Sequence, residues 1–198
     1  MPDQTRRHLI LIAFAFEGGL GLLGVAIAWL AGIPLAQQIW PLAGLLQAIG
    51  TGLVATGPLV VLLLVLISCR SRPIVDLLRK VKGLLRVLFA RGNVWQVAAV
   101  ALAAGFGEEI LFRGALQPLV ASWTSPLVGL VATSLLFGVV HAATPAYFAF
   151  ATLVGFYLGG LVLWTDEILS ASIAHALYDF FAIMYLLAHM RRTGSAGP

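Results

Sequence analysis

Six long apolar segments follow one another along the chain, separated by short polar or glycine- and proline-containing connections. About 20 apolar residues are needed to cover the hydrocarbon core of a bilayer, so segments of this kind predict membrane-crossing helices. Lipid offers the backbone no hydrogen-bond partners, which makes an uninterrupted helix the expected form of each. The predicted spans cover residues 9–31, 45–68, 94–120, 127–142, 146–164 and 168–188.

The segment between the second and third spans has a different pattern. Residues 70–91 contain seven lysines and arginines with leucines between them, which predicts a basic amphipathic helix on the membrane surface. The other basic residues outside the spans lie near the two termini. Because cytoplasmic segments are enriched in Lys and Arg, six spans predict that both termini are cytoplasmic. We expect the inner membrane of a bacterium or archaeon.

Composition supports the same fold class. The chain is 61% hydrophobic and 10% charged, whereas soluble domains have about 45–50% apolar and 25% charged residues. We therefore predict an all-α integral membrane protein of a single domain. Its single cysteine excludes an internal disulfide and a thiolate zinc cluster. The net charge of +4 reports membrane topology, and no nucleic-acid partner is expected.

Three charged residues interrupt the third span. Glu108, Glu109 and Arg113 lie within six positions of an otherwise apolar run, and charges at membrane depth usually face the protein interior, pair, and mark function. On a helix Arg113 can reach back to Glu109. Two adjacent carboxylates do not ionise independently, which is one way to prepare a general acid or base. The alternative is a neutral Glu–Arg clip that joins two helices.

Two histidines complete the set of buried polar residues. His141 and His175 lie in or at the ends of later spans, and Asp179 is one turn beyond His175, where it can hold the Nδ1–H of that imidazole. Phe137 is one turn before His141 and could form a wall beside it. Glu108, His141 and His175 match the ligands of catalytic zinc sites. They would equally serve a metal-free route in which the glutamate deprotonates water.

Another acid lies in the first span. Glu17 is followed by glycines at 18, 19, 21 and 24, a spacing that lets another helix approach closely. No partner for the carboxylate is visible in the neighbouring sequence, so we interpret Glu17 as a structural residue.

The third span is longer than expected. It has about 27 residues, more than a bilayer requires, so it must tilt or break near Gly105 and Gly107.

The order of these motifs resembles a known family. Glu108-Glu109-x-x-x-Arg113, Phe137-x-x-x-His141 and His175-x-x-x-Asp179 occur in this order on successive apolar segments. This pattern is similar to that of the CPBP (Abi) family, the CAAX-protease and bacteriocin-processing intramembrane endopeptidases. In the family the third motif usually ends in asparagine, so Asp179 is the less common residue there. The resemblance covers residues 94–179.

The resemblance implies a helical membrane fold with a cavity, and hydrolysis of a peptide bond in a membrane-associated protein or peptide. Glu108 would activate water, and Glu109 with Arg113 would orient the acid pair. His141 and His175 would polarise the carbonyl group or bind a zinc ion, and Asp179 would support His175. The substrate would be of the prenylated CAAX type or of the leader type.

Two other functions remain open at this point. The buried charges could form the relay of a proton-coupled transporter, or the protein could be a non-catalytic scaffold or immunity protein. We divide the chain into an N-terminal two-span region (1–91), a catalytic core (92–190) and a disordered tail (191–198).

One difficulty concerns depth in the membrane. Glu108 and His175 lie roughly 20 Å from the cytoplasmic ends of their spans, whereas His141 lies within roughly 5 Å of its own. The three residues can meet only if the third span starts later, or if spans tilt or break.

Overall fold

The computed structural model describes residues 3–89 and 93–194, and the regular elements in those ranges are all helical. The predicted all-α membrane fold is confirmed. The elements are α1 (Asp3–Leu30), α2 (Leu35–Ile39), a short 3₁₀ turn (Leu42–Gly44), α3 (Leu45–Ser68), α4 (Arg72–Phe89), α5 (Val94–Glu109), a π-helical segment (Ile110–Leu116), α6 (Gln117–Trp123), α7 (Pro126–Val140), α8 (Pro145–Thr165) and α9 (Leu169–Gly194).

Five of the six predicted spans have the length and apolar character needed to cross a membrane in the described ranges. The exception is α7, the predicted fourth span, which has 15 residues. At 1.5 Å per residue it is about 22 Å long, and the hydrocarbon core is about 30 Å thick. The prediction of six full spans is therefore corrected to five spans and one shorter apolar helix.

Both ends of the α7–α8 hairpin are marked by the sequence. Ser125 and Thr144 each precede a proline, and their hydroxyl oxygens accept the backbone N–H of Val128 and Tyr147. A hydroxyl before a proline at the first helical position is a strong start signal. The turn between the two helices, residues 141–144, begins directly after α7. It carries His141 at its first position.

The long third span does not break at its glycines. Residues 94–123 form one continuous helical run, and its geometry changes from α to π at Ile110, just after the acid pair. The glycines serve helix packing instead. A Cβ on Gly105 would lie 2.7 Å from the Cα of Ala176 in α9, and a Cβ on Gly107 would collide with the backbone of Glu17 in α1. Both positions therefore admit glycine alone without movement of a neighbouring helix.

Helix α9 is packed on several sides by other helices. Its largest contacts are with α3 and α5, and it also meets α4 and α8. Such a central position requires small side chains, and Ser170, Ala171 and Ala174 are fully buried. Gly52 of α3 faces this surface, where a Cβ would lie 2.8 Å from the Ser170 carbonyl oxygen. His175 is thereby placed in the middle of the protein.

The basic amphipathic helix predicted for 70–91 is α4; Arg91 lies outside the described residues. It places Leu85 and Phe89 in an apolar cluster with Ile10 of α1, Val97 of α5 and Leu186 of α9. The start of α1, the basic helix and the end of α9 therefore lie at one end of the molecule. The side of the membrane that this end faces stays a prediction from the positive charges.

The predicted disordered tail is wrong for its first part. Helix α9 continues through Gly194, so residues 191–194 are helical. The rest of the predicted tail, 195–198, lies outside the described residues. The proposed boundary between residues 91 and 92 also stays a prediction.

Candidate active site

Close contacts between three helices bring the buried charges together. Helix α1 crosses the third span at two glycines: a Cβ on Gly21 would lie 3.2 Å from the Cα of Gly107, and one on Gly24 would lie 2.7 Å from the Cα of Leu111. On the other side of the same helix, Gly105 meets α9 next to His175. The acid pair is therefore held between α1 and α9 by backbone-to-backbone contact.

Glu109 and Arg113 form a buried ion pair, as the sequence predicts. Arg113 Nη1 donates to Glu109 Oε1 at 2.9 Å, and both side chains are at most 1% exposed. The second guanidinium nitrogen, Nη2, donates to the Gly155 carbonyl oxygen of α8 at 3.2 Å. The guanidinium carbon also lies 4.5 Å from the centre of the Phe137 ring, a cation–π contact. Arg113 thus links the third span with α7 and α8.

His175 is held by Glu109 rather than by Asp179. Its Nδ1 lies 2.8 Å from Glu109 Oε1, which accepts the Nδ1–H. Asp179 Oδ2 lies 3.7 Å from the other nitrogen, Nε2, a separation too long for a direct hydrogen bond. The prediction that Asp179 holds Nδ1–H is wrong. Helix α9 places His175 and Asp179 on one face, but the carboxylate that bonds Nδ1 is that of Glu109, from the third span.

His141 is oriented by the end of its own helix. Its Nδ1 lies 2.8 Å from the Phe137 carbonyl oxygen, which can only accept, so Nδ1 carries a proton. The ring lies against Phe137, with 4.4 Å between centroids, and the edge of Tyr147 approaches from the other side at 5.6 Å. Phe137 therefore does form a wall beside His141.

Glu108 lies between the two imidazoles. Its Oε1 is 3.5 Å from His141 Nε2, and its Oε2 is 3.8 Å from His175 Nε2. The side chain is buried, and Oε2 has no hydrogen-bond donor among the described residues. Buried polar atoms in folded proteins are nearly always hydrogen-bonded to protein or to water. An orphan carboxylate oxygen next to two imidazoles therefore suits a group that acts on water or substrate.

The predicted difficulty of depth is resolved by the short α7. His141 directly follows a helix of 15 residues, which at about 22 Å is shorter than the roughly 30 Å hydrocarbon core. The Nε2 atoms of the two imidazoles lie 3.5 and 3.8 Å from the carboxylate oxygens of Glu108. The acids of the third span and the two imidazoles therefore share one site.

A zinc ion held by Glu108, His141 and His175 was one possibility from the sequence. Each imidazole engages an acceptor through Nδ1 and presents Nε2 to Glu108, which suits a metal ligand chemically. The two Nε2 atoms, however, approach different oxygens of the carboxylate. In the part of the chain that the structure describes, no group of three or more His, Cys, Asp or Glu residues is arranged to hold a metal ion. The zinc site therefore stays a prediction that this arrangement does not support.

Two residues near the site were not assigned to it from the sequence. Glu17 lies beside Gly107 and is within electrostatic range of Glu108 and Asp179, and its Oε2 has no hydrogen-bond partner in the described ranges. Tyr147 packs against His141. Glu17 is visible in the sequence as a lone acid in a span, but its partners come from helices far along the chain. Tyr147 carries no such signal.

Residues 90–181 match the sequence profile of a family described as type II CAAX prenyl endopeptidase Rce1-like. The match includes the Glu-Glu, Phe–His and His–Asp motifs, and it confirms the resemblance inferred from them for this part of the chain. The matched region begins just before α5 and ends within α9, and it contains the acid pair and both histidines.

A curated relative, the uncharacterized protein YpbD of Bacillus subtilis (strain 168), is 29% identical over 114 residues. Those residues are 56% of this chain and 56% of the relative, so the chain spans little more than half the length of the protein it matches. No solved structure matches the chain.

Proposed function

We propose, starting from the match of residues 90–181 to a CAAX prenyl endopeptidase family, that this protein hydrolyses a peptide bond near the C-terminus of a prenylated, membrane-bound protein. The observation that carries the proposal is the unpartnered Oε2 of Glu108, in a carboxylate that lies between two imidazole Nε2 atoms. A CAAX substrate has its prenylated cysteine close to its C-terminus. The prenyl group would hold the cleavage region at the membrane, where this pocket lies. A leader-type peptide is the alternative substrate.

In the proposed first step, Glu108 accepts a proton from water. The water oxygen then forms a bond to the carbonyl carbon of the substrate, and the electron pair of the C=O double bond moves to the carbonyl oxygen. Glu108 suits this role because its Oε2 receives no hydrogen bond from the described residues. Its carboxylate is therefore available to accept the proton of water.

The two imidazoles would stabilise the resulting oxyanion. In each ring Nδ1 donates to a fixed acceptor, so a hydrogen bond from Nε2 requires the doubly protonated, cationic form. His175 is suited to that form because it faces the carboxylates of Glu108, Glu109 and Asp179. A preorganised cation at the oxyanion is a large contribution to catalysis in a site that excludes water.

In the second step the oxyanion re-forms the C=O bond and the C–N bond breaks. Glu108 transfers the proton taken from water to the leaving nitrogen. The products are a carboxylic acid and an amine, and Glu108 returns to its starting form. Glu109 and Arg113 would not contact the substrate. Glu109 would fix the orientation of the His175 ring, and Arg113 would balance the charge of Glu109.

The proposed route uses no metal, since no group of three or more His, Cys, Asp or Glu residues in the described ranges is arranged to hold one. The zinc prediction is tested separately by metal analysis of the purified protein and by the effect of a chelator on cleavage. Stoichiometric zinc, with activity lost on chelation and restored by zinc, would replace this route with a metal-dependent one.

The test of the proposed function is Glu108→Gln in protein reconstituted into bilayers. With a farnesylated peptide that ends in a CAAX sequence, we expect cleavage to fall at least about 10²–10⁴-fold, the usual value of a general base. Thermal unfolding should show that the variant is folded. Glu167→Gln is a matched control, since Glu167 is a buried glutamate that precedes α9, eight residues before His175, and accepts the backbone N–H of Ser170.

Retained cleavage in Glu108→Gln would contradict the assignment of the base. If the wild-type protein cleaves neither prenylated nor leader-type peptides, the result favours a non-catalytic scaffold or immunity protein. Survival of the cellular phenotype in Glu108→Gln would support that reading further.

A further inference from the structure

A cavity of about 560 Å³ lies between α4 and the start of α8. Pro73, Asp76, Arg79 and Lys80 of α4 form one wall, and residues 144–146 form the other. Its volume is within the range of pockets that bind small organic ligands or short peptides. Neither the motifs nor the proposed catalytic steps use it.

The wall formed by residues 144–146 continues directly from the catalytic turn. Lys80 Nζ donates to the Ala143 carbonyl oxygen at 2.7 Å, and Ala143 is two residues after His141. His141 Nε2 in turn lies 3.5 Å from Glu108. Tyr147, the next residue after this wall, packs on the His141 ring. The cavity therefore adjoins the proposed hydrolytic site at the end of the molecule where α4 lies.

The charges that line the cavity favour an anion. Arg79 Nη1 donates to Asp76 at 2.8 Å, which leaves other N–H donors of the guanidinium for a ligand. The Lys80 ammonium group has three donors, and one is used by the Ala143 carbonyl oxygen. The three charged side chains together therefore carry one net positive charge. The hydrolytic site has the opposite character, with Glu108, Glu109 and Asp179 close to His175.

The length of the segment released from the proposed substrate can be compared with the separation between the catalytic turn and Lys80. A bond cleaved within a C-terminal C-a-a-X sequence has at most three residues between it and the terminal carboxylate. Three extended residues reach about 10–11 Å. From His141 to Ala143 the chain extends at most about 7 Å, and Lys80 Nζ contacts Ala143. The reach of the leaving segment is thus comparable with the separation between the catalytic turn and Lys80.

We propose that this cavity is a carboxylate subsite in which Lys80 and Arg79 bind the C-terminal carboxylate on the leaving side of the scissile bond. The proposal rests on the proposed function and deepens it. It would make the enzyme select chain ends over internal sequences, because an internal peptide has no carboxylate at that distance. Specificity then comes from a charge outside the catalytic residues.

The experiment compares one farnesylated peptide with a free C-terminal acid and the same peptide with a C-terminal amide. We expect the wild-type protein in neutral-lipid bilayers to have a kcat/KM about two- to fivefold higher for the acid, as for an exposed ion pair. In Lys80→Gln, and more completely in Lys80→Gln/Arg79→Gln, the ratio should approach one. Lys82→Gln and Arg86→Gln are matched controls on the same helix that do not line the cavity.

The ratio separates a carboxylate subsite from a general structural role of Lys80. Loss of the contact with Ala143 would disturb the catalytic turn for both peptides equally, whereas loss of the subsite lowers the rate for the acid alone. Equal cleavage of acid and amide by the wild-type protein would overturn the subsite and leave the proposed function intact. So would a loss in Lys80→Gln that occurs only in bilayers with anionic lipid, because the cavity would then bind a lipid phosphate.

A binding measurement tests the subsite without turnover. The free tripeptide Val-Ile-Ala should bind the wild-type protein more tightly than its C-terminal amide in ligand-observed NMR. Lys80→Gln should remove the difference, and Lys82→Gln should keep it. Equal binding of acid and amide would overturn the subsite even if cleavage is observed. Failure of the wild-type protein to cleave any peptide would sink the proposed function, while this measurement still decides the subsite.

Discussion

His141 and His175 present the same atom to Glu108 but are held in different ways. His175 lies in the middle of α9, its side chain is 7% exposed, and its Nδ1 bonds a buried carboxylate that is paired with Arg113. His141 lies at the end of the short α7, its side chain is 23% exposed, and its Nδ1 bonds the carbonyl oxygen of Phe137. One imidazole belongs to a buried network of charges, and the other to a helix end.

Because of this difference, removal of the two histidines should have similar effects on hydrolysis but different effects on the stability of the fold. Removal of His175 leaves Glu109 without one of its two donors, in a part of the protein with no access to water. Removal of His141 frees only a backbone carbonyl near a partly exposed turn. Both imidazoles are therefore expected to matter for hydrolysis, but only His175 should also matter strongly for folding.

The largest expected effects come from removal of the imidazoles themselves. His141→Gln and His175→Gln should each lower cleavage of a prenylated peptide by about 10²–10⁴-fold. In addition, His175→Gln should lower the free energy of unfolding by about 1–3 kcal/mol because of the buried acceptor left behind, and His141→Gln by about 1 kcal/mol or less. Peptide cleavage and denaturant unfolding in detergent measure the two effects. Equal loss of stability in both variants would contradict the comparison.

Next in size is the effect of Arg113→Met on the His175 network. An unpaired buried carboxylate costs about 3–5 kcal/mol, so the variant should unfold at a much lower temperature. The matched variant is Arg113→Met/Glu109→Gln, which removes both charges and should recover a large part of the loss. If the single variant is as stable as the wild-type protein, the buried carboxylate of Glu109 does not need the charge of Arg113.

A smaller effect is expected where α5 touches α9. Gly105→Ala places a methyl group 2.7 Å from Ala176, which should destabilise the protein by about 1–3 kcal/mol and move Glu109 relative to His175. Gly160→Ala is the control, since a Cβ there meets no atom within 4 Å in the described part of the chain. In Gly105→Ala both the rate of cleavage and the temperature of thermal unfolding should fall. A harmless Gly105→Ala would show that the two helices can separate without loss of the site.

The smallest effect is expected at Asp179. Its carboxylate lies 3.7 Å from His175 Nε2 and does not hold Nδ1, so Asp179→Asn should lower cleavage less than about tenfold, the effect of one weak interaction. Glu109→Gln should have a larger effect on kcat, because Glu109 fixes the ring. A loss in Asp179→Asn that equals the loss in His175→Gln would restore Asp179 as the residue that orients His175.

The members of the site were predictable because charge is rare in a membrane span. Glu108, Glu109 and Arg113 stand out in a run of apolar residues, and the 3.6-residue period of a helix predicts the contact of Arg113 with Glu109. The partner of His175 was not predictable in this way. Helical spacing offers Asp179, but the close approach of α5 and α9 at Gly105 brings Glu109 to Nδ1 instead.

Glu17 shows the same limit at larger sequence separation. Its position in a span was evident, yet its neighbours Glu108 and Asp179 are more than 90 residues away in the chain. Nothing in local spacing reports a contact of that kind. The crossing of α1 and α5 at Gly21 and Gly107 creates it.

The amino-acid sequence by itself determined the helices, their approximate ends and the identity of the buried charged residues. It could do so because lipid requires every backbone polar group to be bonded within its own segment, which leaves a helix as the solution for each apolar run. Only the tertiary structure decided the approach of His141 to Glu108, the acid that holds His175 and the position of Glu17. Those depend on how closely helices approach one another, and that approach is set by packing between residues far apart in the chain.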